Sequence, residues 1–596
     1  MLNSKIDYTM KKISYLLSAA TLMLGFASCS LDADDLMEAT PDKFPVNEKD
    51  ATASLAAIYE NLNQVSASPQ MSFYYVSMLA SDDNLGGGGT NDKLMQAEDM
   101  LVNYNQNMTE QFYKDRYQGI ARANSLIEAL PNLSGISDEV KTQDMGEALF
   151  LRAFYHYELA SQYGNVPLMT KVTGALVKQG DVKVLWGQIL QDLYTAATTM
   201  AAKRRTDGHI DKYAAEAMLG RAWLFYTGMY CNGSEISQLT STTYKPLTEV
   251  ELPNGTKLTK KMVADLIDDC VNNSGYSLVP DFRNLWAYTN RCTVEDYDYT
   301  KGQDLKWVEN DQTSATTNNT ESMFAIKYNK LASWSTTIGY ANGYALHFGV
   351  RGGQDYANTF PFGQGWGAGP VAANLVSDWK ADEPTDIRME ASIQDVRQLP
   401  AYRFGGWSDF VQETNYYGKK QAPVSAKTST GGYVCCFEDL MYGSDGGLSG
   451  GYGNNMQLDN IHDLVLIRFA DVLLMQSELK ESVEGINKVR ARVGLSPIAA
   501  YSLAALQKER RYELAFEGVR WNDIRRWHIA AAALEKQTGT DIYYCGSAAR
   551  NTAHNGGYAA RYNATAGFQK MPENQVSLGS VVQNPGWDNS SEYQGW

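Results

Sequence analysis

At 596 residues and a formal net charge of −16, this chain could hold several domains and is too acidic for a nucleic-acid partner, which needs clustered positive charge. Direct attraction to an anionic membrane surface is excluded on the same ground. Seven cysteines in such a length make no disulfide scaffold, and 37 tyrosines with 12 tryptophans beside 18 phenylalanines favour rings that carry a polar edge.

The N-terminus has a basic start at Lys11 and Lys12, an apolar run over 13–26, and small residues Ala27 and Ser28 before Cys29. This pattern predicts a lipoprotein signal over 1–28, with Cys29 as the lipidated residue and 29–45 as a tether. The apolar run is shorter than the roughly 20 residues a spanning helix needs, so contact with the membrane is expected through the lipid alone. Loss of residues 1–28, which hold three lysines and one aspartate, would leave −18.

From 50 to 130 the pattern is helical, with Ala53, Ala56, Ala57 and Leu62 on one stripe and Phe112, Tyr113, Tyr117, Ile120 and Leu126 on another. Between them, Asp82, Asp83 and Asn84 precede four glycines, 86–89, which no helix survives. The Lys and Ser/Thr of a phosphate cradle do not follow, so either a flexible binding loop or a plain linker is expected there. Ala148, Leu149, Ala153, Phe154, Tyr157 and Ala160 recur at helical spacing, as do Ala214, Ala217, Met218, Ala222 and Phe225. Small residues repeated on paired helices are what tetratricopeptide-type repeats look like, but the spacing is too degenerate to establish a repeat, so 46–240 reads as an α-helical N-terminal region.

Over 241–455 the texture changes to short strands and glycine-rich loops that carry Trp286, Tyr288, Trp307, Trp334, Tyr344, Trp366, Trp379 and Trp407. Residues 323–328 alternate like a strand. Aromatics in long loops are poorly placed to fill a core, so several are expected in solvent as a ligand surface. Helices are expected again over 463–477, 483–493 and 503–516, within a C-terminal part 456–596 whose tail after Gln537 reads as an extended wrap.

No Cys-x-x-Cys and no His pair at metal spacing is present, and no EF-hand pattern supports a structural calcium, so no cofactor is expected. Cys231, Cys270, Cys292, Cys435, Cys436 and Cys545 read as buried thiols or unrelated pairs.

The run Lys508-Glu509-Arg510-Arg511-Tyr512-Glu513-Leu514-Ala515-Phe516-Glu517-Gly518 through Arg520-Trp521-Asn522-Asp523-Ile524-Arg525-Arg526-Trp527 resembles the signature of SusD/RagB-type lipoproteins. Residues 468–475, 486–492, 151–154, 163–168 and the closing Gln583-Asn584-Pro585-Gly586-Trp587 agree with it in order. Ser30 to Asp35 after Cys29 is similar to the acidic signal that sends Bacteroidetes lipoproteins to the outer face of the outer membrane. The resemblance implies a mainly α, tetratricopeptide-like scaffold with a loop-rich glycan-binding lobe. It also implies delivery of captured oligosaccharide to a SusC-like TonB-dependent transporter, without catalysis.

A pyranose presents a C–H face that an indole or phenol covers, and a hydroxyl rim that Asp, Asn and Arg satisfy. Trp286, Tyr288, Trp307 and Trp334 are therefore candidate platforms, with Asp82, Asp83, Asn84, Asn91, Asp92 and Arg291 as hydrogen-bonding partners. A RagB-like peptide receptor is the alternative, though peptide capture favours strand edges over flat rings. A glycoside hydrolase using Glu513 and Glu517 fits less well, because ion pairing with Arg510, Arg511, Arg520 and Arg525 would spoil a general acid.

Overall fold

The computed structural model describes residues 44–596 apart from 310–318, 329–340, 353–355, 403–408, 437–459 and scattered single or paired positions. Cys29, the tether up to 43, Trp334 and Trp407 lie outside the described residues.

Among the described residues, eight helices of seven or more residues fall in the N-terminal part: α1 (Glu48–Ser66), α2 (Phe73–Leu79), α3 (Lys93–Asp99), α4 (Glu110–Ala129), α5 (Asp138–Tyr163), α6 (Val182–Thr199), α7 (Lys212–Met229) and α8 (Lys260–Asn273). The long ones pack in sequence, α1 on α4, α4 on α5, α5 on α6, α6 on α7 and α7 on α8, which is the stacked-hairpin arrangement of a tetratricopeptide-like scaffold. α5 starts where the Ser137 side chain accepts from the Val140 N–H and stops at Gly164, whose φ is +78°. From Gly146 to Tyr163 it is buried on every side, so it is the central helix of the stack.

α7 is enclosed in the same way because small residues let its neighbours close in. A Cβ on Gly228 would stand 2.7 Å from the Arg526 carbonyl oxygen. The stripe on α1 differs from expectation. Leu55, Ile58, Leu62 and Val65 face the core, while Ala53 and Ala56 are exposed, because the larger aliphatic set removes more surface from water.

In the C-terminal part, α9 (Phe469–Lys480), α10 (Glu484–Arg492), α11 (Leu503–Glu513) and α12 (Arg520–Arg526) return to this stack, α9 against α8 and α12 against α7. The two ends of the chain thus share one core. Residues 464–468, expected as helix, form strand β2 (Leu464–Arg468), antiparallel to β1 (Ser322–Ile326) with Phe324 opposite Ile467. A short apolar run is ambiguous by periodicity, and the available partner strand decides it. The tail is also more ordered than a wrap: strands Asp541–Tyr544 and Ser547–Arg550 pair, and helices Tyr558–Thr565 and Glu573–Ser577 follow. Among the described cysteines, Cys270 is buried, whereas Cys231, Cys292 and Cys545 are half-buried.

The signature helices are joined by buried ion pairs. Glu513 takes Arg388, Arg468 and Arg492; Glu517 takes Arg468 and Lys420; Arg510 bridges Asp471 and Asp523. The expected internal pairing is present, with different arginines around Glu513 and Glu517 than the four adjacent in sequence. Arg511 and Arg520 turn instead to Asp83 and Asp82, and Arg525 donates to the Ser161 carbonyl at 2.8 Å.

Candidate functional site

The glycine-rich loop lies at the centre of the candidate site, hydrogen-bonded on both sides, so it is more than a plain linker. Its backbone is threaded between two segments of the lobe. Leu85 N–H donates to Pro370 O at 2.9 Å and Gly88 N–H to Gly367 O at 3.0 Å on one side. On the other, Thr90 N–H donates to Asp409 O at 2.8 Å and Val411 N–H to Gly88 O at 3.0 Å. Glycine is required where backbones approach this closely: at Gly87, φ is +70° and a Cβ would meet Pro370 Cδ at 2.3 Å.

Side chains beneath complete the fixing. Gln412 Oε1 accepts from Gly87 N–H at 2.9 Å while its Nε2 donates to Asp99 Oδ2 at 2.8 Å, and Tyr558 OH donates to the same oxygen at 3.0 Å. Burial pushes Asp99 up to about 7 against the pull of these bonds.

On the outer side the loop meets Arg351, Trp366 and Asp409 from the lobe. Arg351 donates to Asp409 Oδ2 at 2.6 Å and to the Trp366 carbonyl at 3.0 Å, with its guanidinium over the Phe410 ring at 5.5 Å and 3.8 Å from Asp92 Oδ2. Asp92 Oδ2 also accepts from Gly89 N–H at 2.6 Å. Trp366 is half-buried, its ring set edge to face against His347 at 4.5 Å. Burial holds His347 down to about 3, so that this support is a neutral ring at ordinary pH. Asn91 stands exposed at the tip of the loop. The Arg351 guanidinium thus gathers the Asp92 and Asp409 carboxylates and the Trp366 carbonyl at the loop, with Asn91 exposed next to Asp92 in the chain and the indole of Trp366 half-buried on the same segment.

Several expected site residues lie elsewhere. Trp286, Tyr288 and Trp307 are 7%, 1% and 2% exposed and form, with Phe362, Phe410 and Tyr417, a second core inside the lobe. Their rings replace the aliphatic packing that a region with few regular elements lacks, so they are no open platform. Tyr344 and Trp379 are interior as well. Asp82, Asp83 and Asn84 are buried. Asp82 accepts from Arg520 at 2.7 and 2.8 Å, Asp83 accepts from Arg511, and Asn84 Nδ2 donates to Gly369 O at 2.8 Å. Their polar groups hold the loop and are spent there. Burial pushes the Asp82 carboxyl up, but Arg520 and Arg511 outweigh it and keep it below the usual range. Arg291 is exposed, on the segment that follows the buried Tyr288. Asn91 and Asp92 are the expected residues brought to the face. Arg351 and Asp409 escaped sequence reasoning because 58 positions separate them; Trp366 was visible as one aromatic among many.

Glu513 and Glu517, the hydrolase candidates, are enclosed. Burial alone would raise both, yet Arg492, Arg468 and Arg388 hold Glu513 well below the carboxylate range, and Arg468 with Lys420 lowers Glu517. Neither faces an open cleft of the kind glycoside hydrolysis uses. No group of three or more His, Cys, Asp or Glu among the described residues could hold a metal ion, and no described helix is long and apolar enough to cross a membrane.

A stacked-helix scaffold that fixes one loop against an irregular lobe places the chain in the helical-repeat class. A family model described as "Starch-binding associating with outer membrane" matches 35–256, and one described as "SusD family" matches 347–587. The chain belongs to the SusD family. SusD-like protein P2 of Formosa agariphila is 22% identical over 553 residues, covering 87% of this chain and 91% of that protein. A laminarin-binding SusD-like protein shares the fold with a TM-score of 0.63 at 24% identity, over 91% of this chain and 100% of that one. Surface glycan-binding protein A of Bacteroides thetaiotaomicron, solved with laminarihexaose, does so with a TM-score of 0.62 at 16% identity, over 90% and 100%.

Proposed function

We propose that this protein captures oligosaccharide or polysaccharide at the cell surface through the face around Trp366 and passes it to a SusC-like TonB-dependent transporter. In this reading a lipid on Cys29 holds it to the outer membrane, facing outwards. The half-buried Trp366 carries the reading, because its carbonyl is held by the Arg351 that also pairs with Asp409 and stands 3.8 Å from Asp92, so an aromatic ring and a group of donors and acceptors fall in one part of the junction. The lobe over 241–455 supplies the platform, and the scaffold parts 46–240 and 456–596 supply its rigidity. Relatives whose names state laminarin, laminarihexaose or starch binding support a glycan over a peptide.

Two carboxylates flank the single guanidinium, so a neutral or basic glycan is preferred to a polyanionic one. The site acts by binding alone. Titration calorimetry against a panel of neutral glycans including laminarin, beside a peptide mixture, tests it. Saturable heat from a glycan with no release of reducing ends is expected; heat from peptides alone, or accumulating reducing ends, would overturn it.

A further inference from the structure

Three elements of the scaffold meet around a cleft of about 520 Å³ that shares no residue with the junction around Trp366. α4 brings Tyr113, Tyr117 and Gln118 to it, the segment 167–177 brings Met169 and Leu176, and the helix Glu573–Ser577 closes it with Asn574 and Gln575. The volume lies within the roughly 300–1,000 Å³ of small-ligand pockets.

Its rings are fixed and its amides are only partly used. Tyr113 and Tyr117 tilt together with centroids 4.8 Å apart, and Tyr117 OH donates to the Pro167 carbonyl at 2.7 Å, so this half-buried ring loses little freedom when a ligand lies on it. Leu176, 53% exposed, adds aliphatic surface. Gln118 Oε1 accepts from Gln64 at 3.2 Å and Gln575 Oε1 accepts from Ser580 at 3.1 Å, while neither amide NH2 donates to another of the described residues. Asn574 donates to Glu110 and keeps its own carbonyl oxygen as an acceptor. With one carboxylate at Glu110 and one ammonium at Lys114, the lining is balanced in charge.

We propose that this cleft is a second oligosaccharide site, on the scaffold, for a neutral glycan. Phenol and aliphatic surface covers the C–H face of a sugar, and the unused amide groups of Gln118, Gln575 and Asn574 take its hydroxyls. A polyanion or polycation would meet no excess of opposite charge. Two of the three walls are helices, whose backbone bonds are already made, so an extended peptide finds little edge to pair with. The inference rests on the glycan reading of this protein, but not on where the first site lies. A polysaccharide long enough to reach both sites would be held more tightly than a short oligosaccharide at either.

Thiol-labelling rates in the full chain test this, with the modified position read by peptide mass and calorimetry run beside them. The thiol introduced by Leu176→Cys should react about tenfold more slowly when one of laminarihexaose, maltohexaose or cellohexaose is present at about ten times its half-protecting concentration. A thiol introduced by Ile387→Cys, on an exposed site of the lobe, should react at one rate throughout. Trp366→Ala should leave the protection at 176 in place, whereas Gln118→Ala with Gln575→Ala removes two hydrogen bonds and should raise the half-protecting concentration about tenfold. Heat from these glycans without protection at 176 would overturn the second site and leave the first standing. Neither heat nor protection would overturn both. Protection by a peptide mixture alone would assign the cleft to peptides and overturn the proposal too.

Discussion

Nε of Arg511 donates to Oδ1 of Asp83 across 2.8 Å, tying the last turns of α11 to the loop 428 residues earlier that carries the candidate face. Asp82, 3.3 Å from the same guanidinium, and Asp378 at 2.8 Å complete its surroundings. Removing one partner of a buried pair leaves the other charge uncompensated, at a cost of about 3–5 kcal/mol. Asp83→Ala leaves Arg511 with Asp82 and Asp378, so it should lower the unfolding free energy by less than that and weaken glycan binding as the loop loosens. Arg511→Ala strips Asp83 of its nearest cation and should cost the full amount, with the double variant less than the sum, as measured by denaturant unfolding in a double-mutant cycle.

Gly87 and Gly135 have nearly the same backbone, with φ of +70° and +75°, and opposite surroundings. A Cβ on Gly87 would meet Pro370 Cδ at 2.3 Å and Gly367 O at 2.4 Å, whereas one on Gly135 would meet nothing within 4 Å. Gly135→Ala should cost about 1 kcal/mol of backbone strain. Gly87→Ala adds overpacking against the lobe, of about 1–3 kcal/mol more, and should reduce glycan affinity where Gly135→Ala does not. Parallel thermal melts and calorimetry on the two variants separate strain from site damage.

The sequence carried the scaffold because helix spacing is local: Ala148, Phe154 and Ala160 repeat on a surface that α5 buries, and the signature over 508–527 is one continuous stretch. The site was legible in part. Asn91 and Asp92 sit beside glycines whose need for special backbone is visible in the chain. Trp286 and Trp366 could not be ranked, because residue type does not tell which ring ends inside a lobe held together by aromatics. Arg351 and Asp409 meet across a fold, and no local pattern encodes that meeting. Strand β2 was lost to helix for the same reason: its partner β1 lies more than a hundred residues away.

Stability should show an acid-favouring contribution from Asp99. Burial raises this carboxyl from 3.8 to about 7 in the folded protein, so the native state binds a proton more readily than the unfolded chain. The contribution is fully present below about pH 3.8 and is lost as pH rises through about 7. His347 works oppositely: lowered to about 3, it contributes stability above pH 6.5 that is lost as pH falls. The two effects overlap in a single pH scan, so the readout is the difference between the parent and Asp99→Asn. That difference should move in favour of the asparagine variant from pH 4 to pH 7 and then stay level. A difference independent of pH would mean that Asp99 is ionised in the folded state across the range.

Trp366 and Trp286 should separate binding from folding. Trp366 is partly open, its ring against His347 and its N–H bonded to the Leu346 carbonyl, so under the proposed function its indole serves ligand contact more than the core. One ring on one sugar is worth about 1 kcal/mol or somewhat more, so Trp366→Ala should weaken a bound glycan about tenfold, which is 1.4 kcal/mol, with a small change in melting temperature. Trp286 is 7% exposed, packs on Phe282 at 5.5 Å and lies under the Lys420 ammonium at 4.7 Å. Its replacement by alanine should cost about 3–5 kcal/mol of stability. Whatever Trp286→Ala protein remains folded should bind glycan close to normally, because the ring never reaches the ligand. Calorimetry on both variants, scaled to the active fraction, decides the assignment: a loss of affinity confined to Trp286→Ala would move the site from the junction face into the lobe interior.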